Sequence, residues 1–166
     1  MKLNNFEVTA PTRVDLCGGT LDLWPLYTVF DEALTINAAI DLKARAKFTI
    51  APHTVCKFTV ISTQGDSYSF YEPLNTETLT KIPVSLRFPV AIVSRYLKQQ
   101  HALPAISVQI DISSEAPLRS GLGGSSALCV AIARGMSRIF NEYVDQNWRM
   151  GLLHWVKDLE AGFLRT

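Results

Sequence analysis

Little in this sequence points to an oxidising compartment or a bound metal. Its 166 residues include only three cysteines, Cys17, Cys56 and Cys129. Their number is odd and they form no Cys-x-x-Cys pair, so no disulfide framework is indicated and buried thiols in a reducing compartment are expected. Histidine is as scarce: His53, His101 and His154 lie far apart, without the spacing of metal ligands, which assigns them structural or surface roles and indicates no zinc site. No stretch approaches the roughly eighteen apolar residues of a membrane span. The opening residues, MKLNNFEVTAPTR, lack the apolar run of a secretory signal. The expected location is the cytoplasm, with no membrane partner.

Neither sign of charge predominates. A formal charge of +1 supplies no electrostatic reason to favour nucleic acid or anionic lipid, and Lys/Arg clusters interleaved with aromatics are lacking, so no nucleic-acid partner is expected. There is no internal repeat and no low-complexity segment. What remains, with 48% hydrophobic and 19% charged residues, has the make-up of one soluble globular domain whose partner is a small molecule.

The first half of the chain is strand-like. Phe6, Val8 and Ala10 alternate with mostly polar neighbours, Cys56, Phe58 and Val60 do so against Lys57 and Thr59, and Ser67 to Tyr71 is a further short alternating run. The break at Ala51-Pro52-His53, between Ala46–Ile50 and Val55–Ser62, predicts a hairpin. Ala33 to Ile40 is more uniformly apolar and reads as a strand buried on both faces. Helical period begins near Phe88, with Pro89 suited to a first turn. Strand character returns at Ile106, Val108, Ile110 and Ile112. A last amphipathic helix carries Trp148, Leu152, Trp155, Val156, Leu159 and Phe163 on its apolar positions, with Asp145 placed to cap it. Strands precede most helices, which predicts an α+β layer fold.

Between that later strand and a helical run starting at Ala127 lies PLRSGLGGSSA, Pro117 to Ala127. Gly121, Gly123 and Gly124 allow conformations that a Cβ forbids and let an anion approach the main chain. The first N–H groups of the following helix lack internal partners and sit at the positive end of its dipole. The plainer alternative is a flexible connection with Ser125 or Ser126 as N-cap. Two other phosphate loops are excluded: no Lys follows the glycines, and the sixth residue from Gly121 is Ser126, not Gly. Nearer the amino terminus, Arg13, Asp15 and Asp22 surround a Gly18-Gly19 turn. They either line a pocket, or Arg13 merely pairs with Asp15 or Asp22 at the surface.

Taken together, APTRVDLCGGTLD and PLRSGLGGSSA resemble the first and second motifs of the GHMP kinases, the superfamily of galactokinase, homoserine kinase, mevalonate kinase and phosphomevalonate kinase, in the same order and with similar separation. The Gly-Gly-Thr-Leu-Asp form looks most like the heptose-phosphate and fucose type of sugar kinase. The resemblance implies a two-layer mixed sheet with helices packed on one face, a fold shared with ribosomal proteins. It also implies an ATP-dependent kinase that transfers the γ-phosphoryl group to a hydroxyl of a sugar or sugar phosphate, with ATP and Mg²⁺ as cofactors. The implied nucleotide site is Pro117, Ser120, Gly121, Leu122, Gly123, Gly124, Ser125, Ser126 and Ala127. Arg13, Gly18, Gly19 and Asp22 are the implied acceptor-binding residues, and Ser125 and Glu160 the Mg²⁺ ligands. Without the resemblance, Glu160 reads equally as a solvated carboxylate on a helix edge.

Arg119 departs from the pattern, standing where relatives commonly have a small residue, often Gly. It either reaches a phosphate or points to solvent. The resemblance covers residues 1–166 as a GHMP kinase amino-terminal domain that stops before the loop carrying the catalytic Asp, so no catalytic residue is assigned and the base is expected beyond Thr166. The expectations that follow are negligible turnover by this portion alone, and a dimer or a missing carboxy-terminal half as partner. The alternative is a non-catalytic nucleotide- or sugar-binding module, or half of a split kinase.

Overall fold

In the computed structural model, residues 5–19, 29 and 34–163 are described, the side chains of Thr76 and of residues 157–163 excepted. Five strands, β1 (Phe6–Cys17), β2 (Ile36–Pro52), β3 (Lys57–Ser62), β4 (Ser67–Phe70) and β5 (Ile106–Ser114), form one sheet in the order β1-β2-β5-β3-β4. Every pairing is antiparallel except β3 with β5. The helices are α1 (Thr76–Thr80), α2 (Val84–Lys98), α3 (Gly124–Ile139) and α4 (Gln146–Phe163). This is the expected mixed α+β architecture. Period-2 alternation sends Ala44, Ala46, Phe48 and Ile50 of β2, Phe58 and Val60 of β3, and Val108 and Ile110 of β5 into one core. Arg45, Lys47, Gln109 and Asp111 alternate with them, toward the opposite face. The core side is closed by Leu86, Val90, Ile92 and Val93 of α2 and by Ala131, Ile132 and Met136 of α3.

Three sequence expectations are corrected. β2 and β3 do not form a hairpin, because β5 inserts between them and pairs with both; its four alternating Ile and Val side chains need a central position in the core. The hairpin is β3–β4, closed by Ser62 N–H to the Asp66 carbonyl at 2.9 Å. Secondly, the apolar start of β2 is not buried on both faces: Ile36 to Ala39 is exposed. It pairs with β1 alone, since β5 ends opposite Ala44. Finally, α2 begins at Val84, not near Phe88. Pro83 accepts from the N–H groups of Leu86 and Arg87 and so starts the helix, leaving Pro89 inside it and buried.

Asp145 caps α4 as its position predicts, accepting from the Trp148 N–H at 2.7 Å. Of the thiols, Cys56 and Cys129 are buried and burial pushes the Cys56 thiol up, but Cys17 is exposed at the end of β1, contrary to expectation. No helix among the described residues is long and apolar enough to cross a membrane.

The sheet has one consequential irregularity. Between Pro11 and Thr12 the β1–β2 register shifts, leaving Asp41 and Leu42 of β2 unpaired, and the buried Thr12 hydroxyl donates to the Leu42 carbonyl at 2.9 Å. Such a bulge bends the strand. Beyond it, among the described residues, the two-stranded ribbon of Thr12–Cys17 and Ile36–Ile40 continues, with Arg13 bonded to Leu122 of the connection from β5 to α3.

Candidate functional site

Strand β5 is ended by a carboxylate. The Glu115 N–H still bonds the Lys43 carbonyl at 3.0 Å as a sheet residue would. Its side chain then accepts the Lys43 N–H at 2.8 Å and pairs with Arg45. The carboxylate thus takes the ladder position that a continuing strand would have filled, and the chain leaves the sheet at Ala116. Hydrogen bonding to the Arg45 guanidinium, followed by the bond from the Lys43 N–H, holds the Glu115 carboxyl below its ordinary value. A group depressed in the folded state stabilises the fold above its unfolded pKa and ceases to do so as pH falls through the folded value. Melting temperatures of the native chain and Glu115→Gln are therefore expected to differ at neutral pH and to converge below about pH 4.

The connection from residue 117 to 124 is built on alternate left-handed residues. Arg119, Gly121 and Gly123 have φ of 60°, 72° and 66°. A turn closes where the Ser120 N–H meets the Pro117 carbonyl at 3.2 Å. Arg119 is exposed and occupies the left-handed place in that turn, a conformation that costs an L-residue about 1–2 kcal/mol. Within the connection the Ser120 N–H is taken by the Pro117 carbonyl and the Leu122 N–H by the Ser120 hydroxyl oxygen at 3.4 Å.

Helix α3 starts at Gly124 with Gly123 as N-cap, no side-chain cap bond and no acidic residue in its first turn. The serine-cap reading is thereby corrected: Ser125 and Ser126 lie inside the first turn, Ser125 exposed. A Cβ added to Gly121 would meet nothing within 4 Å, whereas one on Gly124 would press on Ser114 Oγ at 3.1 Å and the Ala116 Cβ at 3.2 Å. The helix start is therefore clamped to the end of β5, and the bend before it opens outward.

The first segment reaches this loop directly. The Arg13 N–H donates to the Leu122 carbonyl at 3.0 Å, and its side chain lies where a Cβ on Gly123 would touch Cγ at 3.4 Å. Its Nε pairs with Asp15 Oδ1 at 3.0 Å, the ion pair that one alternative above expects at the surface, with both side chains partly buried. Asp15 also fills the space beside Gly19, where a Cβ would lie 2.9 Å from Oδ2. Gly18 has φ of 71°, and a Cβ there would sit 2.0 Å from the Leu34 carbonyl oxygen; its own carbonyl accepts from the Thr35 hydroxyl at 3.0 Å. Arg13, Gly18 and Gly19 thus share one end of the sheet with residues 117–127. Asp22 lies outside the described residues, as does the side chain of Glu160, whose backbone belongs to α4.

Asp15, which the sequence offers with Asp22 as a partner for Arg13, does pair with it, and it lies against Gly19. One contributor escapes a reading of the sequence. Glu115 has partners about seventy positions away, so no local pattern marks it; its only signal is an acid at the point where strand alternation stops.

Comparison with known proteins adds the following. Residues 88–163 match the family described as GHMP kinases N terminal domain; the Arg13–Gly19 segment lies outside that match. No curated protein matches. Among solved structures, mevalonate kinase from Methanococcus jannaschii is 18% identical at a TM-score of 0.70, over 98% of this chain and 49% of that one. A D-glycero-D-manno-heptose 1-phosphate kinase from Bacteriodes thetaiotaomicron is 21% identical at 0.68, over 95% and 48%. Lactococcus lactis galactokinase, complexed with galactose, is 16% identical at 0.71, over 98% and 39%. At these identities the likeness is one of fold. The chain spans about half the length of these structures, or less.

Proposed function

We propose, for a chain whose residues 88–163 match the GHMP kinase N-terminal domain family, that it holds ATP and positions a sugar or sugar-phosphate hydroxyl for γ-phosphoryl transfer. The observation that carries this reading is the junction of the two glycine segments: one backbone bond from Arg13 to Leu122 and one side-chain contact from Arg13 to Gly123. They bring Arg13 against Leu122 and Gly123, which supports one shared site, since phosphoryl transfer requires both reactants in one place.

The local chemistry fits a triphosphate. Left-handed Gly121 faces open space while Gly123 lies against the Arg13 side chain, and the start of α3, without a side-chain cap or an acid in its first turn, favours negative charge. In this reading the main chain of residues 121–126 holds the β- and γ-phosphates, and Ser125 and Glu160 supply oxygen ligands to Mg²⁺, a donor type suited to a hard cation. When bound, the ion neutralises charge on the phosphates. Arg13 orients the junction through Asp15, and Asp22 takes the acceptor, since a carboxylate accepts hydrogen bonds from neighbouring hydroxyls and charge strengthens them. Sugar-kinase neighbours of the same fold support this acceptor class.

Because the solved structures of this fold are about twice as long, the 166-residue chain is expected to bind without turning over. Steady sugar-dependent ADP release by the purified chain would contradict that. The nucleotide assignment is tested by calorimetry of ATP with and without magnesium on Ser125→Ala. Loss of a charge-assisted contact is expected to weaken MgATP by about tenfold and leave metal-free ATP unchanged. Equal magnesium dependence in both proteins would remove Ser125 from the ligand set.

A further inference from the structure

We propose that the cavity between α2 and α4, at the opposite end of α3 from the glycine loop, is a second binding site and takes a small organic cation of the alkylammonium class. Sixteen helical residues, roughly 24 Å, separate the two ends of α3, so this site is distinct from the one described above and does not depend on it.

The cavity measures about 240 Å³ and is walled by Tyr96, Trp148, Trp155, Leu152 and Gly151, with one carboxylate, Glu142. That carboxylate is unusually served. It accepts from the Tyr96 hydroxyl, from Gln100 Nε2 at 3.1 Å and from Trp148 Nε1 at 3.3 Å. All three donors are neutral: burial, and then the adjacent Glu142, push the Tyr96 phenol well above its ordinary range, so it keeps its proton. Among the described residues no Lys, Arg or His forms an ion pair with Glu142. These donors hold the carboxylate in place without themselves cancelling its charge, and the Arg134 guanidinium, whose field reaches the Tyr96 hydroxyl, forms no ion pair with it. A half-buried negative charge therefore faces a cavity whose other walls are largely aromatic.

Aromatic faces are electron-rich and attract cations, most strongly where water is excluded. The Arg95 guanidinium already lies 5.8 Å from the centre of the Trp155 ring, which shows that the ring accepts such a neighbour. The nearby Arg134 is engaged with the Ser137 hydroxyl at 3.1 Å. Three donors on two carboxylate oxygens leave little capacity for a ligand that binds through hydroxyl groups, whereas an ammonium needs only the field. An anion is repelled, and the volume suits an ion of choline size better than a nucleotide.

The test is a titration of the 166-residue chain with choline, followed by the indole N–H resonances of Trp148 and Trp155, against the neutral isostere 3,3-dimethylbutan-1-ol. Saturable shifts of both resonances are expected with choline, and binding weaker by about tenfold or more is expected for the isostere and for Glu142→Gln. Gly151→Leu offers a second variant that leaves Glu142 intact. A Cβ there meets nothing within 4 Å, so the leucine fills the cavity while improving helix propensity, and choline binding should vanish with melting temperature kept or raised. The proposal is overturned if the isostere binds as well as choline, if Gly151→Leu binds unimpaired, or if no saturation appears up to about 10 mM choline. Should Glu142→Gln fail to fold, the isostere and Gly151→Leu still decide.

Discussion

Gly121→Val is expected to weaken MgATP by about a hundredfold, through loss of one or two charge-assisted amide contacts at about 1.5–3 kcal/mol each, while leaving the fold largely intact. Two features of Gly121 combine to give this. Its φ of 72° is one that a β-branched residue resists, so the bend must relax and its N–H groups turn away. Its Cβ would also stand in open space, where nothing of the protein is displaced but an approaching phosphate is. The strain of about 1–2 kcal/mol, in an exposed loop, corresponds to a fall in melting temperature of a few degrees. Calorimetry with MgATP and with inorganic triphosphate, beside a thermal melt, separates the effects. Unchanged affinity with a lowered melting temperature would reduce the glycine bend to a plain connection. Gly18→Ala is no substitute for this test, since its Cβ would collide with the Leu34 carbonyl and disturb the fold itself.

Gly135→Ala should destabilise the domain by at least about 2 kcal/mol, although the same change in an open helix stabilises by about 1 kcal/mol. The sign reverses because the added Cβ would lie 2.1 Å from two carbons of the Phe48 ring. That ring has no room to give: Phe48 is fully buried and stacks on Phe6 at a centroid distance of 4.9 Å, with the Arg138 guanidinium over the other ring at 4.3 Å. The glycine is what lets α3 lie close on β1 and β2, and hence what presents the start of α3 to Arg13. Urea unfolding of Gly135→Ala, Phe48→Leu and the double variant checks the cause. The double variant should be more stable than the sum of the single losses predicts, because the smaller side chain vacates the contested space. Strict additivity would place the cost elsewhere.

How far the structure could be read from residues alone depended on the distance between interacting partners. With Leu159 and Phe163 outside the described side chains, the alternation in β5, the Trp148, Leu152, Trp155 and Val156 part of the α4 stripe and the Asp145 cap are stated within a few positions each, and they stand as read. So does the glycine bend, because left-handed conformations at positions 121 and 123 are a local demand. The β2–β3 hairpin was misread because the break at Pro52 is genuine but pairing is decided by competition, and β5 competes from more than fifty residues away. Apolarity misled at Ile36–Ala39, where strand pairing on one side only leaves the side chains uncovered. Cys17 went the same way: its exposure follows from its place at the ribbon's end.

Residue types and short spacings therefore specified the mixed α+β class, the glycine bend between β5 and α3, and the charged glycine turn near Arg13, since each rests on backbone preferences and periodicities acting over one or two turns of chain. That these two segments meet, that Glu115 ends the strand by capturing Lys43 and Arg45, and that Glu142 faces an aromatic cavity without an ion-pair partner among the described residues came from packing alone. Each depends on residues tens of positions apart being brought within hydrogen-bonding range by the order of strands in the sheet, and no local preference encodes that order.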